Sequence, residues 1–341
     1  MRVAMYYSND DIRIEEMPVP QIGSGELLIK IEASGICGSD VMEWYRKNRA
    51  PLVLGHEIAG EIVDVGKGVR YNIGERVTAS HHVPCNTCYY CLNGHHTVCD
   101  TLRTTNFDPG GFAEYVRLPS INVDRGVYPI PDNVSLEEAT FTEPLACVIR
   151  GQRKANIKPG QTVLVLGSGI AGLLHIQLAR ALGAGLIIAT DIVDYRLKAA
   201  KKFGAKYAIN AKENVPEFIK DVNDGRLADL VIVCTGATSA IEQALKSVDR
   251  AGTILFFAPT KEGVTIPFSI NETFWRKDVI LTTSYAGAPV DHHIALKLIK
   301  EKRVNVKDMI THRLPLSETG KGFKLVAEAK ESIKVIIEPQ K

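Results

Sequence analysis

The sequence carries almost no net charge. Its 41 Lys and Arg residues face 39 Asp and Glu residues, leaving +2, so no bulk attraction singles out nucleic acid or an anionic membrane as a partner. It also lacks an unbroken apolar run of membrane length. The one long apolar region, residues 162–190, is interrupted by Gly167, Gly169, Gly172, Gly183 and Gly185 and carries His175, Gln177 and Arg180. These polar groups are costly against lipid, and the region divides better into strand, turn, helix and strand. The opening MRVAMYYSNDDIRIEEMPVP has neither a continuous apolar segment nor a small-residue cleavage site. No export signal is read there, and the expected location is the cytoplasm.

A chain of 341 residues exceeds one ordinary hydrophobic core and suits two domains. Of its seven cysteines, four crowd between Cys85 and Cys99. In a reducing compartment that crowding favours metal ligation over disulfides. Cys85, Cys88, Cys91 and Cys99 follow C-x2-C-x2-C-x7-C, a spacing that lets four thiolates close a tetrahedron around one structural zinc. An iron–sulfur cluster, local disulfides and a nucleic-acid-binding zinc ribbon are the alternatives. With the tetrahedron filled, His81, His82, His95 and His96 are expected to be solvated loop residues.

Residues 1 to about 120 read as an irregular β domain. Residues 26–33 alternate apolar and polar side chains like a half-buried strand, and residues 58–65 repeat the pattern before a Gly66-Lys67-Gly68 turn. Between them lies Cys37-Gly38-Ser39-Asp40, a thiol, a hydroxyl and a carboxylate close in sequence. A lone buried cysteine is the structural default, but the same thiol is a soft ligand for zinc, with His56 of Gly55-His56-Glu57 as a second.

From about Lys158 strands and helices alternate. Strands are expected at 162–166, 186–190, 207–209, 230–234, 253–257 and 279–284, with intervening helices near 170–182, 195–203, 216–222 and 239–248. This α/β alternation predicts a doubly wound parallel sheet. Its first turn is Gly167-Ser168-Gly169-Ile170-Ala171-Gly172, preceded by a strand and followed by a helix, with Asp191 ending the next strand. Gly167 permits the tight turn, Gly169 the approach of a pyrophosphate, and Gly172 close packing of helix on strand. A carboxylate at 191 accepts hydrogen bonds from ribose hydroxyls and repels a 2′-phosphate, favouring NAD over NADP. Arg196 is a candidate adenosine contact, its alternative being an ordinary solvated arginine. Residues 286–341, with helices near 291–302 and 320–329 and a strand at 333–337, are too short for a domain and are expected to return to the first one.

Over essentially its whole length the chain resembles the zinc-dependent medium-chain dehydrogenases, in their sorbitol (polyol) and threonine branch. The pattern Gly55-His56-Glu57-x2-Gly60-x5-Gly66-x2-Val69 is similar to the family's zinc signature, and the four-cysteine lobe follows at the family's spacing. The resemblance implies a GroES-like catalytic domain over residues 1–150 with a zinc lobe at about 81–102, a Rossmann NAD-binding domain over 151–285, and a return at 286–341. It implies a catalytic zinc held by Cys37, His56 and acidic groups carried over to Glu57 and Glu143, besides the structural zinc, making two zinc ions per chain. Ser39 matches the residue that takes the alcohol proton. Met42 stands where the family's relay histidine does and cannot carry a proton, so the proton must leave by water, ribose hydroxyls or another side chain. Ala258, Ser284 and Tyr285 match positions near the nicotinamide, and strand 279–284 matches a homodimer or homotetramer interface.

The expected activity is therefore reversible NAD-dependent oxidation of a secondary alcohol in a polyol, sugar or related hydroxy compound. A threonine-type dehydrogenase is the second reading, with Glu43 as a carboxylate for the substrate amine. A non-catalytic zinc protein binding a partner through the cysteine lobe is the third; the near-neutral charge and the Cys37, His56, Ser39 set argue against it.

Overall fold

The computed structural model describes residues 1–341. It divides into one unit of Met1–Ala146, Ala286–Lys302 and Val306–Lys341, and a second of Cys147–Tyr285 with Arg303–Asn305. The helix Thr142–Lys154, which the sequence reading did not anticipate, starts in the first and ends in the second. Pro144 fits its first turn, where a missing N–H costs nothing, and Leu145, Ala146, Val148 and Ile149 bury its apolar face at helical spacing.

The first unit is β-rich. Strands Leu27–Gly35 and Glu57–Val65 pair antiparallel at its centre, and Arg76–Ala79 and Val127–Pro129 extend the sheet on one side. Residues 27, 29 and 31 point one way, as period-two alternation requires, and pack with Ile58, Ile62, Val77 and Val116 in a core. On the other side the chain's last strand, Lys334–Glu338, pairs with the first of these through Ile336↔Gly35 and Ile337↔Ser34. A separate sheet forms from the hairpin Arg2–Ser8/Asp11–Glu16 and Leu52–Val53.

The second unit is a six-stranded parallel sheet. In chain order its strands are Thr162–Leu166, Leu186–Asp191, Tyr207–Asn210, Ala228–Val233, Val248–Phe256 and Ile280–Thr283; in space they lie third, second, first, fourth, fifth, sixth. This is the doubly wound order, which places a ligand crevice beyond the C-terminal end of the first strand, where the winding reverses. Every residue of Thr162–Leu166 is buried, as a central parallel strand covered on both faces demands. The fifth strand begins earlier than its apolar run, because Val248 pairs with Ala228 across a register shift. No helix is long and apolar enough to cross a membrane.

Candidate functional site

Strand register assembles the first site. Gly35 lies opposite Glu57 and Ser34 opposite Ile58, so Cys37, just past the end of one strand, meets His56, just before the start of the next. Their ligand atoms and one from Glu57 all lie within 4.8 Å of one another. Glu143, in the first turn of Thr142–Lys154 and buried, stands outside this three-residue group.

Buried charges surround the three residues. Asp40 is fully buried; its Oδ2 accepts from the Cys37 N–H at 3.0 Å, and its Oδ1 lies 3.4 Å from His56 Nδ1 and 3.5 Å from an Arg46 guanidinium nitrogen. Burial opposes a charged imidazole, but Asp40 and Cys37 outweigh it and hold the His56 pKa well above its ordinary value. Burial likewise raises Asp40, yet His56, Arg46 and the Cys37 amide bring its carboxyl below the usual range. A histidine held through Nδ1 by a carboxylate presents Nε2 as a metal ligand of fixed orientation.

Glu57 is 1% exposed and forms a buried ion pair through Oε2 with Lys334, which is completely buried. The Lys334 amine also donates to the Ile36 carbonyl at 3.2 Å. A Cβ on Gly35 would collide with both Glu57 Oε2 and the lysine amine, so glycine there makes room for the pair. The other oxygen, Oε1, is buried with no hydrogen-bond partner. An orphaned carboxylate oxygen beside a thiol and an oriented imidazole suits a cation, because burial without one carries a desolvation cost.

Ser39 Oγ is 3.4 Å from Cys37 Sγ and accepts from Arg46 at 3.2 Å. Met42 precedes the helix Glu43–Arg46, and Glu43 is exposed. His81 and His82 correct the expectation of solvated loop residues. The His81 ring lies 4.7 Å from His56 and 3.8 Å from His82, both are half-buried, and burial pushes the His82 pKa down to about 4. His82 Nδ1 engages the Thr105 carbonyl at 2.8 Å. His95 is exposed and His96 half-buried.

The second group, Cys85, Cys88, Cys91 and Cys99, also has its four sulfurs within 4.8 Å of one another, and none is in a disulfide. Backbone amides of Thr87 and Cys88 point at Cys85 Sγ at 3.4 and 3.2 Å and bring its pKa down to about 5. Burial, together with the neighbouring thiols, pushes Cys91 up to about 12. Four such sulfurs ionise together only around a cation, which fits a closed tetrahedral zinc site.

In the second unit, Gly167 has φ of +94°, and a Cβ on Gly172 would collide with the Gly167 carbonyl oxygen. A Cβ on Gly169 would meet nothing nearer than the Arg196 guanidinium at 3.7 Å. Packing within the chain therefore does not require glycine at 169, whereas the close approach of a pyrophosphate does. Ala171 lies in the first turn of helix Ile170–Ala181, whose positive N-terminus faces that approach. Asp191 Oδ2 accepts from Ser168 N–H at 2.8 Å, Oδ1 accepts from Ile192 and Val193, and Arg196 stands 4.0 Å away with its Nε buried and unpartnered. Ala258 follows the fifth strand, its amide on the Val233 carbonyl; Ser284 and Tyr285 follow the sixth, and Ser284 Oγ is buried without a partner.

A metal-ligand group on one unit and a dinucleotide turn on the other define a metal-dependent nicotinamide dehydrogenase. Residues 23–132 match the alcohol dehydrogenase GroES-like domain, and residues 171–301 match the zinc-binding dehydrogenase family. The chain is 35% identical to a sorbitol dehydrogenase of Halalkalibacterium halodurans, covering 96% of this chain and 95% of that one. It is 34% identical to an L-threonine 3-dehydrogenase of Pyrococcus furiosus over 93% and 90%. An Escherichia coli alcohol dehydrogenase solved with NADH superposes with a TM-score of 0.88 at 27% identity, over 99% of each chain. The chain belongs to the zinc-dependent medium-chain dehydrogenases, in the branch of the sorbitol and threonine enzymes.

The sequence reading missed the roles of Lys334, Arg46 and Asp40. Asp40 was within reach, lying three residues after Cys37; Lys334 carried no local signal, being 277 residues from its partner.

Proposed function

We propose that this dehydrogenase oxidises a secondary alcohol of a polyol, sugar or related hydroxy compound to the ketone, reversibly and with NAD. The observation that carries the reading is the group of half-buried Cys37 with buried His56 and Glu57, whose Oε1 is orphaned. Cys37 and His56 would hold the catalytic zinc, with Glu57 beside them and Glu143 as a further acidic group, neither of which is a fixed ligand, and the four cysteines would hold a second, structural zinc. Bound there, zinc supplies a Lewis acid for the substrate hydroxyl and NAD supplies the hydride acceptor. Asp40 fixes the His56 ring, Lys334 holds Glu57 Oε2, and Ser39 takes the alcohol proton. Met42 cannot pass that proton on, so it leaves by water, ribose hydroxyls or another side chain. Asp191, with Gly167, Gly169, Ala171, Gly172 and Arg196, favours NAD because its carboxylate repels a 2′-phosphate.

Strand Ile280–Thr283 sits at the sheet edge with Ile280 exposed. An open edge of this kind supports a homodimer or homotetramer joined there. Seven cysteines outside any disulfide suit the cytoplasm. The threonine-type reading is supported by the Pyrococcus furiosus relative. Initial rates of NADH and NADPH formation with sorbitol, inositols, butanediol and threonine decide among these. Turnover of polyols with NAD, abolished by chelator, is the expected result; turnover of threonine alone overturns the polyol reading.

A further inference from the structure

We propose that Arg46 recognises an anionic group on the substrate, and that the preferred substrates are hydroxy acids with a carboxylate beside the reacting carbinol carbon. This rests on the reading of Ser39 as the residue that meets the reacting hydroxyl. Arg46 ends the helix Glu43–Arg46, and its side chain is 13% exposed. Nε donates to the Ser39 carbonyl at 3.0 Å and Nη2 to Ser39 Oγ at 3.2 Å. The guanidinium lies over the Tyr45 ring at 4.7 Å, and Arg49 approaches the same ring at 5.3 Å.

Three features separate this arginine from a structural staple. Its nearest carboxylate oxygen, Asp40 Oδ1, stands 3.5 Å away without a hydrogen bond to it and is shared with His56 Nδ1 at 3.4 Å, so no carboxylate clamps the guanidinium. Nη1 makes no hydrogen bond within the chain, leaving one edge of the guanidinium fork available. A guanidinium does not deprotonate in proteins, so Arg46 cannot replace the missing proton relay, and its charge is permanent. Ser39 Oγ is 3.4 Å from Cys37 Sγ, which puts this cation one hydrogen bond beyond the residue that meets the alcohol. A carboxylate on the carbon next to the carbinol spans that step and presents two oxygens to the open fork. Oxidation of the hydroxyl beside it sends a hydride to NAD and a proton to Ser39, leaving a 2-keto acid.

The test compares sorbitol with gluconate in the zinc-loaded enzyme, its Arg46→Met variant and its Arg46→Lys variant. Gluconate binding is followed separately by isothermal titration in the absence of NAD. Wild type should prefer gluconate. In Arg46→Met the gluconate-to-sorbitol ratio of kcat/KM should fall about tenfold to a hundredfold, the loss expected of a hydrogen-bonded charge. That fall should be carried by KM and matched by weaker gluconate binding, with Arg46→Lys intermediate. Equal losses of kcat on both substrates, with gluconate binding unmoved, is what a staple of the Ser39 turn would give and overturns the proposal. Brisk oxidation of sorbitol with no acceptance of gluconate overturns it while leaving the polyol reading intact. Absence of turnover on both substrates overturns the polyol reading, and the binding arm alone then decides for or against Arg46.

Discussion

Replacing Lys334 with Met removes one partner of an ion pair in which the lysine is 0% and Glu57 1% exposed. The methionine nearly preserves the volume, so the effect is electrostatic. It strands the Glu57 carboxylate out of reach of water and deletes the donor to the Ile36 carbonyl. Breaking a buried pair on one side costs about 3–5 kcal/mol, which lowers the melting temperature by on the order of 10 °C for a domain of this size. Replacing both charges at once removes the stranded ion, so the Glu57→Gln/Lys334→Met protein should recover most of the loss. Thermal unfolding of the zinc-loaded wild type, both single variants and the double variant measures the cycle. A Lys334→Met protein melting within about 2 °C of wild type, or a double variant no more stable than the single ones, would refute the claim that this pair fixes Glu57.

Two further outcomes follow from groups remote from that pair. On the proposal that the lobe's four sulfurs, all within 4.8 Å of one another, share one zinc, Cys88→Ser should remove one zinc per chain and lower the melting temperature; an undiminished melting temperature contradicts a structural metal there. His175 is fully buried, and burial brings its pKa from 6.5 down to about 3. It stays neutral in the fold while the unfolded chain takes up a proton below its ordinary value. The stability it contributes is therefore complete above pH 6.5 and is lost as pH falls towards 3, by about 1.4 kcal/mol per unit. His175→Gln should spare about 2 kcal/mol of the stability lost between neutral pH and pH 5, seen as a shallower fall of the urea midpoint; an unaltered pH slope argues against it.

Much of this chain could be read from short-range patterns. The Gly167 to Gly172 turn is a local device, Gly167 answering to a positive φ and Gly172 to a backbone clash within six residues, so the sequence alone carried it and the parallel sheet behind it. The cysteine lobe is equally local. Cys37 and His56 were readable as a soft and an imidazole ligand, but what brings them together is strand register, with Gly35 opposite Glu57; Glu143 came only with the resemblance. Lys334 stayed hidden because a lysine at the start of the final strand looks like a solvated end residue, and its partner Glu57 lies 277 residues away on a strand it does not pair with. His81 and His82 were misread because their burial comes from packing on His56 and on the Thr105 carbonyl, contacts no local composition announces. Helix Thr142–Lys154 went unread although Leu145, Ala146, Val148 and Ile149 stand at helical spacing, because Glu143 and Pro144 at its start resemble a loop.

Zinc content per chain and NADH formation, measured together on Cys37→Ser, test the central claim most directly. The variant should keep its fold and the cysteine-lobe zinc, lose the second zinc, and lose turnover with every alcohol that wild type oxidises. A variant that retains full activity, or that loses activity while keeping both zinc ions, would contradict a catalytic metal held by Cys37, His56 and Glu57.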